Sequence, residues 1–201
     1  MTENKVKFGL KNFHFAPISG IEDGKITYGA VMAMPGSVSL TLKHDGDVNE
    51  FEADDTVYYD QNVDNGYKGD LELARILDAF RTSCLGETLG DKNGIMAENA
   101  NAEIKGFACM YEIMGDVNKT RYVAYNCLAS RPDADYETKG QKGGVKTDKL
   151  SFSARPRPDG WVQAHSTSAT PASIFDAWYT KVVEPDEAVP TSSGTKTTPG
   201  N

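Results

Sequence analysis

The sequence predicts a mainly β (α+β) chain with one flanking α-helix and a short C-terminal helix, on three observations. Apolar and polar residues alternate with a period of two at Val6, Phe8 and Leu10 and again at Val38, Leu40 and Leu42. Nineteen glycines among 201 residues supply many turns, which suits short strands better than a bundle. Helical spacing of apolar residues is confined to two stretches, Leu73–Cys84 and Ile174–Val182.

In chain order, Val6, Phe8 and Leu10 face away from Lys5, Lys7 and Lys11, and Phe13 and Phe15 continue the strand toward Pro17. Ile21-Glu22-Asp23-Gly24-Lys25 reads as a turn, followed by a strand over Ile26–Met32 and a break at Pro35-Gly36. A further strand covers Val38–Leu42. His44-Asp45-Gly46-Asp47 has the Asp-Gly of a hairpin turn, and its return arm passes Phe51 and Tyr58-Tyr59. That arm is too acidic for a central strand and is expected to project or lie at an edge. An Asp/Asn/Gly turn follows at Asp60–Gly66. Leu73, Ile76, Leu77, Phe80 and Cys84 fit one amphipathic helix, but Leu71 and Leu73 also alternate with Asp70 and Glu72. The favoured division is strand to about Ile76 and helix over Leu77–Leu85, with Gly86 as the terminating glycine.

Gly90–Glu98 reads as a loop. Ile104–Met114 is expected to pair with Arg121–Ala129 through a turn at Gly115–Asn118, with apolar residues on both faces and therefore a central position. Arg131–Asp148 is polar and glycine-rich, a mobile surface loop by composition. Leu150–Ala154 is expected to pair with Trp161–His165. Thr170 as N-cap and Pro171 as first helical residue begin a helix whose stripe is Ile174, Phe175, Trp178 and Val182. After Pro185 nothing can bury apolar area, so residues 1–184 form the domain and 185–201 a flexible tail.

Length suits one domain that needs no disulfide or metal to hold it together. The net charge of −8 argues against tight capture of nucleic acid by basic clusters. Cys84, Cys109 and Cys127 form no paired motif, and Cys109 and Cys127 read as core residues of a chain folded in a reducing cytoplasm. MTENKVKFGL lacks an apolar signal-peptide core, and no run approaches a membrane span.

Chemistry is sparse. His14, His44 and His165 stand singly, without a partner at metal-ligand spacing, and read as structural or surface residues. Nucleophile-elbow, phosphate-loop and dinucleotide motifs are lacking, so an enzyme is not expected and no catalytic, cofactor or metal residue is assigned. Asp60, Asn62, Asp64 and Gly66 resemble the start of a calcium loop. The glycine comes one place late, however, and Leu71 occupies the position that needs glutamate. A second reading is a non-enzymatic module recognising carbohydrate or a cell surface, with Trp161, Tyr58 and Tyr59 as a stacking platform.

Ordered phrases across residues 5–183 resemble the major tail proteins of long, non-contractile-tailed bacteriophages. They are KVKFGLKNFHFAPI (Lys5–Ile18), PGSVSLTL (Pro35–Leu42), ADDTVYYDQNVDNGYKGDLELA (Ala53–Ala74) and AFRTSCLGE (Ala79–Glu87). ENANAEIKGFACMYEIMGD (Glu98–Asp116), TRYVAYNCLASRP (Thr120–Pro132) and the Trp178-Tyr179 helix complete the set. The chain departs from that pattern at Leu77, where a proline is expected, and its tail is too short for an added immunoglobulin-like domain. The resemblance implies a tail-tube-type β-sandwich and self-association into hexameric rings stacked as a tube. It further implies partnership with tape-measure, tail-terminator and distal tail proteins, assembly in the host bacterial cytoplasm and residence in the virion tail. DNA is expected to pass the lumen without specific binding, since carboxylates repel phosphate. The acidic hairpin and the Arg131–Asp148 loop are the expected contacts between rings. Deletion of residues 133–147 is expected to spare the monomer and abolish tubes.

Overall fold

The computed structural model describes residues 4–53, 56–115, 117–136 and 146–186, with side chains described outside 48–62. In order, these residues form β1 (Leu10–Glu22), β2 (Lys25–Tyr28), β3 (Met32–Ala33), β4 (Ser37–Ala53), β5 (Thr56–Leu73) and α1 (Asp78–Ser83). There follow β6 (Thr88–Leu89), β7 (Met96–Ala97), β8 (Phe107–Ile113), β9 (Thr120–Ala129), β10 (Asp148–Ala154), β11 (Gln163–His165) and α2 (Ala172–Ala177). The chain is mainly β, with an antiparallel sheet and two short helices.

Hydrogen bonds join nine strands in the order β2-β1-β8-β9-β10-β5-β4, with β3 beside β1 and β11 beside β9. Period two sorts the side chains of this sheet onto two apolar faces. Phe13 and Phe15 of β1, Phe107, Cys109 and Tyr111 of β8, Leu71 and Leu73 of β5, and Leu150 and Phe152 of β10 meet on one face. There α1 contributes Phe80, whose ring meets Phe15 and Phe107 edge-on at 4.9 and 5.1 Å. On the other face Ala16, Ala108, Met110, Val123 and Tyr125 are covered by Trp178, Val182 and Val183. The pairing of β8 with β9 and their burial on both faces agree with the reading of a central hairpin.

Several expectations need correction. Residues 5–9 are not a strand: β1 begins at Leu10, and Val6 and Phe8 are 54% and 56% exposed. Their alternation is real, but nothing among the described residues covers it. The predicted turn at Ile21–Lys25 narrows to Asp23-Gly24, both at positive φ, with Glu22 opposite Lys25. The strand expected over Ile26–Met32 is broken into β2 and the short β3.

Neither His44–Asp47 nor Asp60–Gly66 turns the chain. β4 runs through the first and β5 through the second, down to Ala53 opposite Thr56. Between the pairs His44↔Tyr67 and Gly46↔Asp64 the register slips by one residue. This is a β-bulge on β5, with Gly66 at φ 92° and its N–H donating to Asp64 Oδ1 at 2.8 Å. A turn and a bulge need the same Asx bond and the same positive φ, so the signal at Asp64–Gly66 marks a bulge, whereas Gly46 does not adopt the positive φ expected of Asp45-Gly46.

β5 ends at Leu73, three residues before the expected boundary, and α1 starts at Asp78 after an extended Leu77. Gly86 has φ 74° just beyond the helix end. The loop expected over Gly90–Glu98 is closed by a small ribbon, Thr88 opposite Ala97 and Leu89 opposite Met96. Leu150–Ala154 and Trp161–His165 do not pair with each other. β10 and β11 lie end to end along the same edge of β9, against 127–129 and 122–124. Pro171, not Thr170, is the N-cap of α2, and the Thr170 hydroxyl instead accepts from Thr167 N–H at 2.9 Å. Most of the Arg131–Asp148 loop, residues 137–145, and the tail beyond 186 lie outside the described residues.

Candidate assembly interface

The longest structural feature is the β4–β5 hairpin. β10 pairs with β5 only over Tyr67–Leu73, so among the described residues the stretch from Gly46 to Asp64 pairs only within itself. It is a two-stranded ribbon projecting past the sheet, as its acidity suggested. β4 is also the last strand of the sheet, so its outer edge has no strand partner among the described residues. A long edge with free N–H and C=O groups is a template for another chain unless it is blunted.

Charge concentrates in this ribbon. Residues 45–64 hold eight of the 29 Asp and Glu residues and none of the 21 Lys and Arg residues. Removing them leaves 21 acidic against 21 basic residues, so the whole formal charge of −8 resides in the hairpin. Its base is tied to the body, where Lys68 Nζ meets Asp45 at 2.9 Å and His44 Nε2 approaches Asp64 at 3.2 Å.

Beside the hairpin, the outer face of β4, β5 and β10 is polar and bears no helix. Ser39 and Thr147 donate to Glu72 at 3.1 and 2.6 Å, and Ser151 donates to Asp70 at 2.7 Å. The hydroxyl bonds, first from Thr147 and then from Ser39, hold the Glu72 carboxyl below its usual pKa. Ser39, Asp70, Glu72 and Ser151 floor a shallow hollow of about 590 Å³ rimmed by Arg131, Asp133 and Lys149.

A second surface forms around the N-terminal segment. Asn4 anchors it across the β8–β9 turn: its Oδ1 accepts from Val117 and Asn118 N–H at 3.0 and 2.7 Å, and its Nδ2 donates to Asn118 O at 2.6 Å. Met114 N–H donates to Phe8 O at 3.1 Å. The segment is held in place with its apolar side chains outward.

Two ionic clamps fix the C-terminal segment, and neither was foreseen from the sequence. Arg121 Nε meets the 1%-exposed carboxylate of Glu112 at 3.0 Å, its guanidinium stacks over Phe175 at 3.9 Å, and its Nη1 donates to Phe175 O. Arg157 grips Asp159 and, at 2.7 Å, Glu184, while lying over the Tyr125 ring at 4.9 Å. Burial works against the Arg157 charge, but bonds to Asp159 and Glu184 outweigh it and raise its pKa. The Arg157 bonds hold Asp159 below its usual range. Tyr125 Oη donates to Val183 O at 3.0 Å and completes this latch. Arg157 and Glu184 are 27 residues apart, and Arg121 and Glu112 sit on neighbouring strands, so neither pair gives a periodic signal in the sequence.

The residues weighed for chemistry fall in separate places. His14 stacks on Tyr179 at 4.3 Å, His165 on Tyr122 at 5.3 Å, and His44 belongs to the hairpin base. The three cysteines are buried, with Cys109 and Cys127 sulfurs 3.7 Å apart; burial pushes the Cys84 thiol up to about 11. Asp60–Gly66 lies within β5, and an extended backbone does not curl round one ion as a calcium loop must. Among the described residues no three His, Cys, Asp or Glu are grouped to hold a metal ion, and no helix is long and apolar enough to cross a membrane. Trp161 stands exposed between β10 and β11, whereas Tyr58 and Tyr59 belong to the hairpin. No family model matches the chain, and no curated protein matches it.

Proposed function

We propose that this protein is a structural subunit that associates with copies of itself into rings and tubes, as the major tail proteins it resembles do. In that role it lies in a phage tail, beside tape-measure, terminator and distal proteins, around a passing DNA. One observation carries the reading most: a projecting hairpin at an unpaired sheet edge that holds the chain's entire net charge. An isolated chain gains little from a two-stranded ribbon, which is marginal in water by itself. A subunit that places the ribbon on a neighbour buries it and pairs its edge.

Contacts of this kind are heterologous, a projection on one copy meeting a different surface on the next. Such contacts close into a ring when the rotation closes and extend as a filament when it does not. Any DNA inside meets a protein of net charge −8, which disfavours capture of the phosphate backbone.

Sedimentation velocity of the full chain over a wide concentration range tests the reading. It predicts species well above the 21.8 kDa monomer that grow with concentration. A monomer at every concentration, with measurable glycan binding, would instead favour the carbohydrate-recognising module.

A further inference from the structure

The N-terminal segment, the β8–β9 turn and the β11–α2 connection enclose an open groove of about 970 Å³, half polar and half apolar. Lys5, Lys7 and Lys119 line it, together with Val6 and Val117, and His165 stands at its wall. Lys5 and Lys7 enter it from a segment, residues 4–11, that holds no carboxylate, so this wall is opposite in sign to the hairpin. The apolar residues of the rim are more than half exposed, Val6 at 54% and Val117 at 53%, although the backbone there is pinned by Asn4. A hydrogen-bonded rim thus presents Val6 and Val117 beside lysines, covered by no described residue.

We propose that this groove receives the acidic hairpin of a second copy of the same chain. This rests on the assembly reading above and names the two surfaces that meet. The hairpin sequence fits the groove in both respects: acids at Asp47, Glu50, Glu52 and Asp60, with Val48, Phe51, Val57, Tyr58 and Val63 between them. Opposite charges steer such an encounter and fix its register, while the apolar residues supply buried area. Direction also follows from the sheet. β10 is antiparallel to both β5 and β9, so the hairpin arm of β5 and the Thr120 end of β9 point toward the same end of the molecule. A projection and a groove at one end, on different strands, suit neighbours side by side within a ring, in place of the contact between rings that the sequence suggested for the hairpin.

The test uses the full chain with charge reversals. The variant K5E/K7E/K119E removes the groove's positive charge at exposed positions, and D47K/E50K/E52K reverses the hairpin. Each alone, shown folded by circular dichroism, is expected to weaken self-association about tenfold or more. A one-to-one mixture of the two is expected to associate again, because the reversed hairpin then faces the reversed groove. Wild-type association is expected to fall with added salt. If the wild type associates but K5E/K7E/K119E matches it, the groove assignment is wrong and the assembly reading stands. If that variant instead loses only oligonucleotide binding, the groove serves DNA and the proposal fails. A wild type that never associates overturns both.

Discussion

Arg121 and Glu112 show how one buried pair can hold an element that its own sequence could not. α2 has six residues, none of them fully buried, and a proline cap without a side-chain bond. It docks because Arg121 reaches from β9 to the Phe175 ring and carbonyl while neutralising Glu112. Arg121→Ala leaves a carboxylate at 1% exposure with only Asn12 at 3.3 Å and Lys119 at 4.0 Å. Breaking a buried pair in this way costs about 3–5 kcal/mol, and urea denaturation is expected to read a loss of that size. Gly66 is the second decisive residue. A Cβ there would sit 2.0 Å from Ala154 O at φ 92°, with backbone on one side and no flexible side chain to yield. Gly66→Ala is expected to destabilise by about 2 kcal/mol or more by the same measurement, by undoing the bulge that starts the hairpin.

At the scale of elements, what was legible depended on whether the signal was local. β8 and β9 were readable because Phe107, Cys109 and Tyr111 fill one face while Ala108 and Met110 fill the other, which leaves a continuous apolar run. The Asn65-Gly66 pair announced a positive φ, but only the pairing of β4 with β5 decides that a bulge and not a turn uses it, and Asp45-Gly46 passes through β4 without one. The shared edge of β9 was not legible, because Leu150–Ala154 and Gln163–His165 carry no mark of which strand they join. Val6 and Phe8 misled for the opposite reason: their pattern describes a buried strand, and no described residue covers it.

The C-terminal latch gives a prediction at this scale. The folded pKa of Asp159 lies below its unfolded value of about 3.9. Its stabilisation is therefore full above that pH and lost as the pH falls through the folded value. Acidification below about pH 4 is expected to release the segment bearing Trp178, read as a shift in its fluorescence. Asp159→Asn is expected to remove the step. A second prediction concerns the hairpin. Replacing residues 46–64 with a short Asn-Gly turn keeps β5 paired to β10 over Tyr67–Leu73. The shortened chain is expected to remain folded by near-ultraviolet circular dichroism and to stay monomeric in sedimentation.

For the whole molecule, charge and edge tell one story. A body of 21 acidic and 21 basic residues is neutral, and a ribbon of eight carboxylates extends from its open edge. Like ribbons repel each other, so in the proposed assembly a ribbon meets a different surface of the next copy, which is a head-to-tail arrangement. The mainly β class and the acidic projection were both legible in the sequence; the groove proposed to receive the projection was not, because the alternation of Val6 and Phe8 reads as a buried strand. Negative-stain electron microscopy of the concentrated full-length protein tests the central claim most directly. Rings or tubes of uniform bore, lost in the hairpin-shortened chain, are the result predicted. Dispersed single particles of the full-length protein at every concentration would contradict it.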